Sequence, residues 1–290
     1  MMRRRGLLAL GAVALGGRPA GAVARRIVTL GGAVTETVFA LGGGAEVVGT
    51  DLTSRFPEAA SALPRLGYVR QLGAEGVLSL RPDLVLATAD AGPPAAIVQV
   101  EAAGVAVVRL QEAHGLAPAL ARIRAVGAAI GRDAAAGALA AAIGADVAAI
   151  AAGLPAGAAP RVMFLLSAGR GAPMAAGSGT AAEAMIALAG GRNAVEGLRQ
   201  YRALSAEATL AAAPDVIVTT TDTLEGVGGR RRLLALAGID GTPAARSGRL
   251  AAFDALALLG FGPRLPQSLH GLAAALHPGA ALPPVPVAWR

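Results

Sequence analysis

The chain has 290 residues with 26 basic and 19 acidic side chains, a formal charge of +7, and no cysteine. Disulfides, thiolate metal sites, cysteine nucleophiles and a lipid-modified cysteine are therefore excluded. Every basic residue is arginine, and no basic cluster with interleaved aromatics occurs, so nucleic-acid binding is not expected.

The N-terminus has the order of an export signal. Arg3, Arg4 and Arg5 precede an apolar run over 7–17, which is too short to span a bilayer, and Ala22-Val23-Ala24 is an A-x-A-like cleavage site. Residues 1–24 read as the signal peptide, cleaved near Ala24, and Sec or Tat export is left open. Without Arg3, Arg4, Arg5 and Arg18, 22 basic residues face 19 acidic ones. No later run approaches a membrane span, so an exported, soluble product with no membrane insertion is expected.

Arg26–Leu30 reads as a short strand, 33–41 as a helix, and 46–49, 83–87 and 105–108 as further strands. Apolar runs alternating with helical segments indicate parallel strands buried on both faces. Residues 116–130 are helical, and 132–153 form one long alanine-rich helix, alanine being the best helix former. A strand over 162–166 opens a second α/β unit. The expected division is an N-terminal α/β lobe over 25–131, a linking helix over 132–155 and a C-terminal α/β lobe over 156–290. The fold class is thus α/β, with two Rossmann-like lobes joined by one helix.

The halves echo one another. Arg70, Leu72, Ala74-Glu75 and Pro82-Asp83 recur 132 residues later as Arg202, Leu204, Ala206-Glu207 and Pro214-Asp215. Two similar lobes enclose a cleft, and clefts between domains are preferred ligand sites.

Tyr68 and Tyr201 are the only tyrosines. Tyr68 sits in Gly67-Tyr68-Val69-Arg70. A phenolate is a hard ligand suited to ferric iron, and tyrosine is one of the axial ligands used for haem. In extended chain, residues two apart face the same way, so Arg70 shares a side with Tyr68 and its charge favours the deprotonated phenol. His114, His270 and His277 lack metal-cluster spacing and read as solvated or capping residues. There is no G-x-x-x-x-G-K-[ST] or G-x-S-x-G motif. Ser178, between Gly177 and Gly179, is the one tempting nucleophile.

Taken together, Arg26–Gly42, the Asp51-Leu-Thr-Ser-Arg-Phe-Pro and Leu63-Pro-Arg-Leu-Gly-Tyr-Val-Arg segments, Ala172-Pro-Met-Ala-Ala-Gly with Gly179-Thr-Ala-Ala-Glu, and Leu259-Gly-Phe-Gly-Pro-Arg-Leu-Pro resemble the helical-backbone periplasmic binding proteins of ABC importers, in particular their haem-binding branch. The resemblance covers nearly all of the mature chain. It implies a monomeric periplasmic carrier, not an enzyme, that binds ferric haem b as transported ligand and delivers it to a permease dimer. It assigns Tyr68 as axial ligand, leaves Arg70 to meet either the phenolate or a propionate, makes Arg170 a candidate propionate partner, and makes Met174 and Tyr201 candidate cleft residues. Tyr201 and Met174 read equally well as packing residues. Glu75 and Glu207 match the acids that meet permease arginines. Some family members carry a histidine in the loop that is here 167–174; its absence favours five-coordinate haem, one per chain. A ferric siderophore or cobalamin carrier is the alternative, and an exported α/β hydrolase using Ser178 a more distant one.

Overall fold

The structure, a computed structural model, describes residues 26–112, 114–169 and 171–285. The export signal and Arg170 lie outside these residues.

The first sheet contains β1 (Ile27–Leu30), β2 (Val47–Thr50), β3 (Leu84–Thr88) and β4 (Ala106–Leu110), all parallel, in the order β2-β1-β3-β4. The second contains β5 (Arg161–Ser167), β6 (Met174–Ala176), β7 (Arg192–Asn193), β8 (Tyr201–Ala203), β9 (Val216–Thr220) and β10 (Leu250–Phe253). Here β7, β5, β9 and β10 are parallel in the same spatial arrangement as the first sheet, and β6 with β8 adds an antiparallel arm along the outer end of β5. The central strands are solidly apolar because helices cover both faces: Ile27, Val28 and Leu30 in β1, and Val216, Ile217 and Val218 in β9, are fully or almost fully buried.

The 132-residue repeat is physical. The helix Ala74–Ser79 leads to β3 as Ala206–Ala212 leads to β9, at that same offset. Each copy is locked by one arginine–aspartate clasp. The Arg26 N–H donates to Asp83 Oδ2 (3.1 Å) and its Nε to the Leu80 carbonyl (3.2 Å). The Arg161 N–H donates to Asp215 Oδ2 (2.8 Å) and its Nε to the Ala212 carbonyl (3.2 Å). The aspartate of each Pro-Asp turn thereby caps the N-terminal end of a central strand and fixes the strand's register against its neighbour.

The helix Asp133–Ala152 runs between the lobes. Its buried residues, Ala136, Ala140, Ile143, Val147 and Ile150, recur every three or four positions, and they pack it against the helices Leu116–Ala129 and Leu265–Leu276. The small side chains permit close approach, and one continuous hydrophobic cluster joins this helix to both sheets. The helix is long and apolar enough to cross a bilayer, which corrects the expectation from apolar run length. Alanine supplies that apolarity; one stripe of the helix packs on the protein, and most of its remaining residues are exposed or half-buried.

Candidate functional site

The loops at the C-terminal ends of both sheets face one another across a cleft. The first lobe contributes Gly31, Thr53, Arg70, Thr88, Asp90, Glu112 and His114, and the second contributes Leu256, Leu259 and Gly260, around a cavity of ≈ 190 Å³. Outside the carboxyl ends of parallel strands is where open α/β sheets place ligands. Gly31, at the end of β1, has φ +113, and a Cβ there would sit 2.5 Å from Thr88 Cγ2. Only glycine allows this turn to pass so near β3. Glycine is needed again at Gly32, where a Cβ would lie 2.6 Å from Leu256 Cδ1 of the other lobe.

The loop after β2 is built on Asp51, which is fully buried. Its Oδ1 accepts from the Gly31 N–H (2.8 Å) and Ser54 Oγ (2.7 Å), and its Oδ2 from the Thr53 N–H (2.8 Å) and Thr53 Oγ1 (2.5 Å). Four donors satisfy this buried carboxylate. Residues 64–67 then run beside the end of β2. The Thr50 N–H donates to the Pro64 carbonyl, the Leu66 N–H to the Thr50 carbonyl, and the Leu52 N–H to the Gly67 carbonyl, at 2.8–2.9 Å. On its far side, the Gly92 N–H donates to the Val69 carbonyl and the Leu72 N–H to the Gly92 carbonyl. Gly67, at φ +94, turns the chain between these anchors.

Tyr68 is therefore carried on a loop pinned on both sides, and its side chain remains 38% exposed. Leu52, also exposed, stands on the adjoining segment as an apolar neighbour. Arg70 Nη1 donates to the Tyr68 hydroxyl, and Arg70 Nη2 pairs with Asp90 Oδ2. The guanidinium carbon is 5.7 Å from the Tyr68 ring centroid. Burial pulls the Arg70 pKa down, but Asp90 and then Tyr68 more than offset this, and the net direction is up. The sequence left Arg70 two roles; in this structure one N–H of Nη1 meets the phenol and Nη2 meets a carboxylate, which leaves further N–H donors of the guanidinium.

Three polar contacts hold the lobes together. Glu36, on the helix Gly32–Ala40, is buried and receives Arg264 Nε on both oxygens (3.1 Å each) and Arg264 Nη2 on Oε1. Arg122 Nη2 donates across to the Gly260 (2.5 Å) and Phe261 (3.0 Å) carbonyls. Burial pulls Arg122 down to about 10, with Glu112 and Glu36 drawing it back up. Arg55 pairs with Asp222 at 3.0 Å, both side chains well exposed. None of these pairs was found from sequence, because the partners lie on segments separated by more than a hundred residues.

The other predicted residues divide. Met174 is half-buried in β6, opposite Ser167 and Ala203. Tyr201 lies in the antiparallel arm, its ring edge-on to Phe164 at 6.5 Å, with a backbone hydrogen bond to Ala182. Burial pushes its phenol up, and the contacts given to it are those of a packing residue. Glu75 and Glu207 are exposed and occupy the second position of their repeat-related helices; neither has an ion-pair partner among the described residues. His114 stands 3.6 Å from Glu112 at the cavity edge, and His277 Nε2 lies 3.0 Å from the Ala189 carbonyl. Ser178 Oγ donates to the Leu198 carbonyl (3.2 Å). No group of three or more metal-ligating side chains of the histidine, cysteine or carboxylate type occurs among the described residues. A wider, open depression of ≈ 710 Å³ at the opposite end of the second sheet is lined by Arg192, Asp215, Arg246 and Arg249. Arg246 and Arg249 there already donate to backbone carbonyls.

Two similar α/β lobes, one connecting helix and a cleft at the carboxyl ends of both sheets define a bilobal binding protein. The chain belongs to the periplasmic binding protein family, whose model matches residues 27–256. It is similar to the periplasmic haem-binding protein BhuT in complex with two haems, at 46% identity and TM-score 0.82 over 87% of this chain and 99% of that one. It is also similar to the periplasmic haem-binding protein RhuT from Roseiflexus sp. RS-1 in apo form (41%, TM-score 0.83, 87% and 97%). A periplasmic haem-binding protein from Pseudomonas aeruginosa matches at 36%, with TM-score 0.81, over 91% and 96%. A curated vitamin B12-binding protein of Yersinia pestis is 30% identical over 91 residues, which is 31% of this chain and 32% of that protein.

Proposed function

We propose that this chain is the substrate-binding protein of an ABC importer, that it binds ferric haem b in the interlobe cleft, and that Tyr68 is the axial ligand of the iron. The observation that carries this reading is the presentation of Tyr68: an exposed phenol on a pinned loop at the cleft, with a guanidinium on its oxygen. Such a phenol offers a hard anionic ligand to ferric iron. The likeness to haem-binding proteins over most of the chain supports it. The cavity is smaller than closed small-molecule sites of about 300–1,000 Å³. The porphyrin then lies outside this cavity, against Tyr68, whose partner Arg70 lines it, and the hydrophobic effect holds its apolar face there. The protein is a carrier and no bond is made or broken. From the second lobe, Arg170 is proposed as a propionate partner and Met174, half-buried in β6, as a contact of the porphyrin or of the packed interior. The chain is exported to the periplasm after cleavage near Ala24, acts as a monomer, and docks its permease dimer through Glu75 and Glu207.

The test is a haem titration of the mature protein followed by absorption. Wild-type protein gives a high-spin ferric spectrum with a phenolate-to-iron charge-transfer band; Tyr68→Ala loses that band and binds weakly, while Tyr201→Phe keeps it. An unchanged spectrum in Tyr68→Ala overturns the assignment. Binding of cobalamin in place of haem would transfer the chain to the vitamin B12 reading.

A further inference from the structure

We propose that Asp90 is a positioning residue for the haem ligand: it holds Arg70 where the guanidinium donates to Tyr68, and by balancing that charge it sets how electron-rich the phenolate is. This rests on the haem reading of the cleft.

The three side chains form one line, and its ends differ in how firmly they are held. Asp90 follows β3 by two residues. The Ala89 N–H donates to the Leu110 carbonyl at the end of β4 (2.9 Å), and the Ala91 N–H to the Thr88 carbonyl (3.0 Å). The backbone on both sides of Asp90 is thus tied to the C-terminal ends of β3 and β4, and the Asp90 side chain is 27% exposed, whereas that of Arg70 is 53% exposed. An exposed arginine has about 2 kcal/mol of rotamer entropy to lose on ordering. Asp90 supplies the fixed point. It takes Nη2, which leaves Nη1 of the same planar fork aimed at the phenol.

The charges then decide the chemistry. An isolated guanidinium beside a phenolate draws electron density from the oxygen that must donate to iron. With Asp90 on the other nitrogen, the pair carries no net charge, so the phenolate keeps its donor strength while its geometry is still fixed by a hydrogen bond. Partners of this kind, one bond removed from the ligand, orient it and tune its basicity. Glu112, His114 and Arg122 share the cavity, but none touches Tyr68 or Arg70 by a hydrogen bond or ion pair.

The experiment uses the full mature chain loaded with haem, and reads the charge-transfer band, the ferric/ferrous potential and haem affinity. Asp90→Asn moves the band to shorter wavelength and raises the potential, because the uncancelled guanidinium withdraws density from the phenolate. Asp90→Glu restores both toward wild type. Asp90→Ala, which also frees Arg70, binds haem about tenfold more weakly. In an Arg70→Ala background, Asp90→Ala has no further effect on the band. The proposal is overturned if the Asp90 variants keep the wild-type band and potential while Arg70→Ala shifts them, or if Asp90→Ala still shifts the band without Arg70. Its failure is distinct from failure of the haem reading, in which the wild-type protein shows no charge-transfer band or Tyr68→Ala retains one.

Discussion

Removing Arg264 tests how the two lobes are held. Glu36 is 1% exposed and Arg264 20% exposed, and two N–H donors of one guanidinium edge make three contacts with the carboxylate, the Nε–H being shared between both oxygens. Arg264→Ala strands Glu36 in the interface, and breaking a buried pair in this way costs about 3–5 kcal/mol. Partial exposure of Arg264 places the loss near the lower end. The guanidinium also lies 4.1 Å over the Phe56 ring, a contact that adds about 0.5–1 kcal/mol. The expected total is about 4 kcal/mol, against a net stability of about 5–15 kcal/mol for a folded protein. The corresponding fall in melting temperature is on the order of 10 °C.

The loss also depends on pH, with a sign set by Glu36. Burial raises its pKa above 4.5, and the Arg264 hydrogen bond and charge pull it back only in part. In the folded protein the carboxyl therefore keeps its proton at pH values where the unfolded chain has released it. Its contribution to stability is complete below the unfolded value and is lost as pH rises through the folded one. Without Arg264 the folded value rises further, so the variant's deficit is small near the unfolded pKa and grows toward neutral pH. Thermal and urea unfolding, followed by circular dichroism across this range, measure it. A deficit under about 1 kcal/mol at neutral pH, the range of an exposed pair, or one that shrinks as pH rises, would refute the account.

The loop 167–174 has no histidine, so native mass spectrometry of the loaded protein is expected to show one haem per chain. A dominant two-haem species, as in the BhuT complex, would show that this loop does not limit the stoichiometry. Exposed charge pairs contribute roughly 0–1 kcal/mol each, so Glu75→Ala with Glu207→Ala should impair haem uptake into vesicles bearing the cognate permease more than either change alone, while haem affinity is retained. Normal uptake by the double variant would leave both acids as favourable charges at helix N-termini.

Much of the architecture is local and was legible in the chain. The β1, β3 and β9 segments announce themselves as short apolar runs ended by turn residues, and the alanine-rich helix by its composition. The repeat appears as one constant offset, because each half folds as its own helix–turn–strand unit. Tyr68 and Arg70 lie two residues apart, but they meet across a turn, with the Gln71 N–H on the Tyr68 carbonyl, and not along extended chain as the sequence suggested. The span-length helix was misjudged because alanine, mildly apolar and small, produces no long run of large side chains.

What the tertiary structure decided are the relations between segments far apart in sequence. Only folding brings Asp90 against Arg70, whose guanidinium then joins this carboxylate to the Tyr68 hydroxyl. Only folding sets Glu36 beside Arg264, 228 residues away, and Arg55 beside Asp222, 167 residues away. Tyr201, the second candidate aromatic, is drawn by the antiparallel arm onto Phe164. The physical reason is common to all of these. Hydrophobic periodicity reports the environment of each element separately, whereas ion pairs and hydrogen bonds act over a few ångströms between groups whose neighbourhood the chain acquires only when both sheets and the connecting helix have packed.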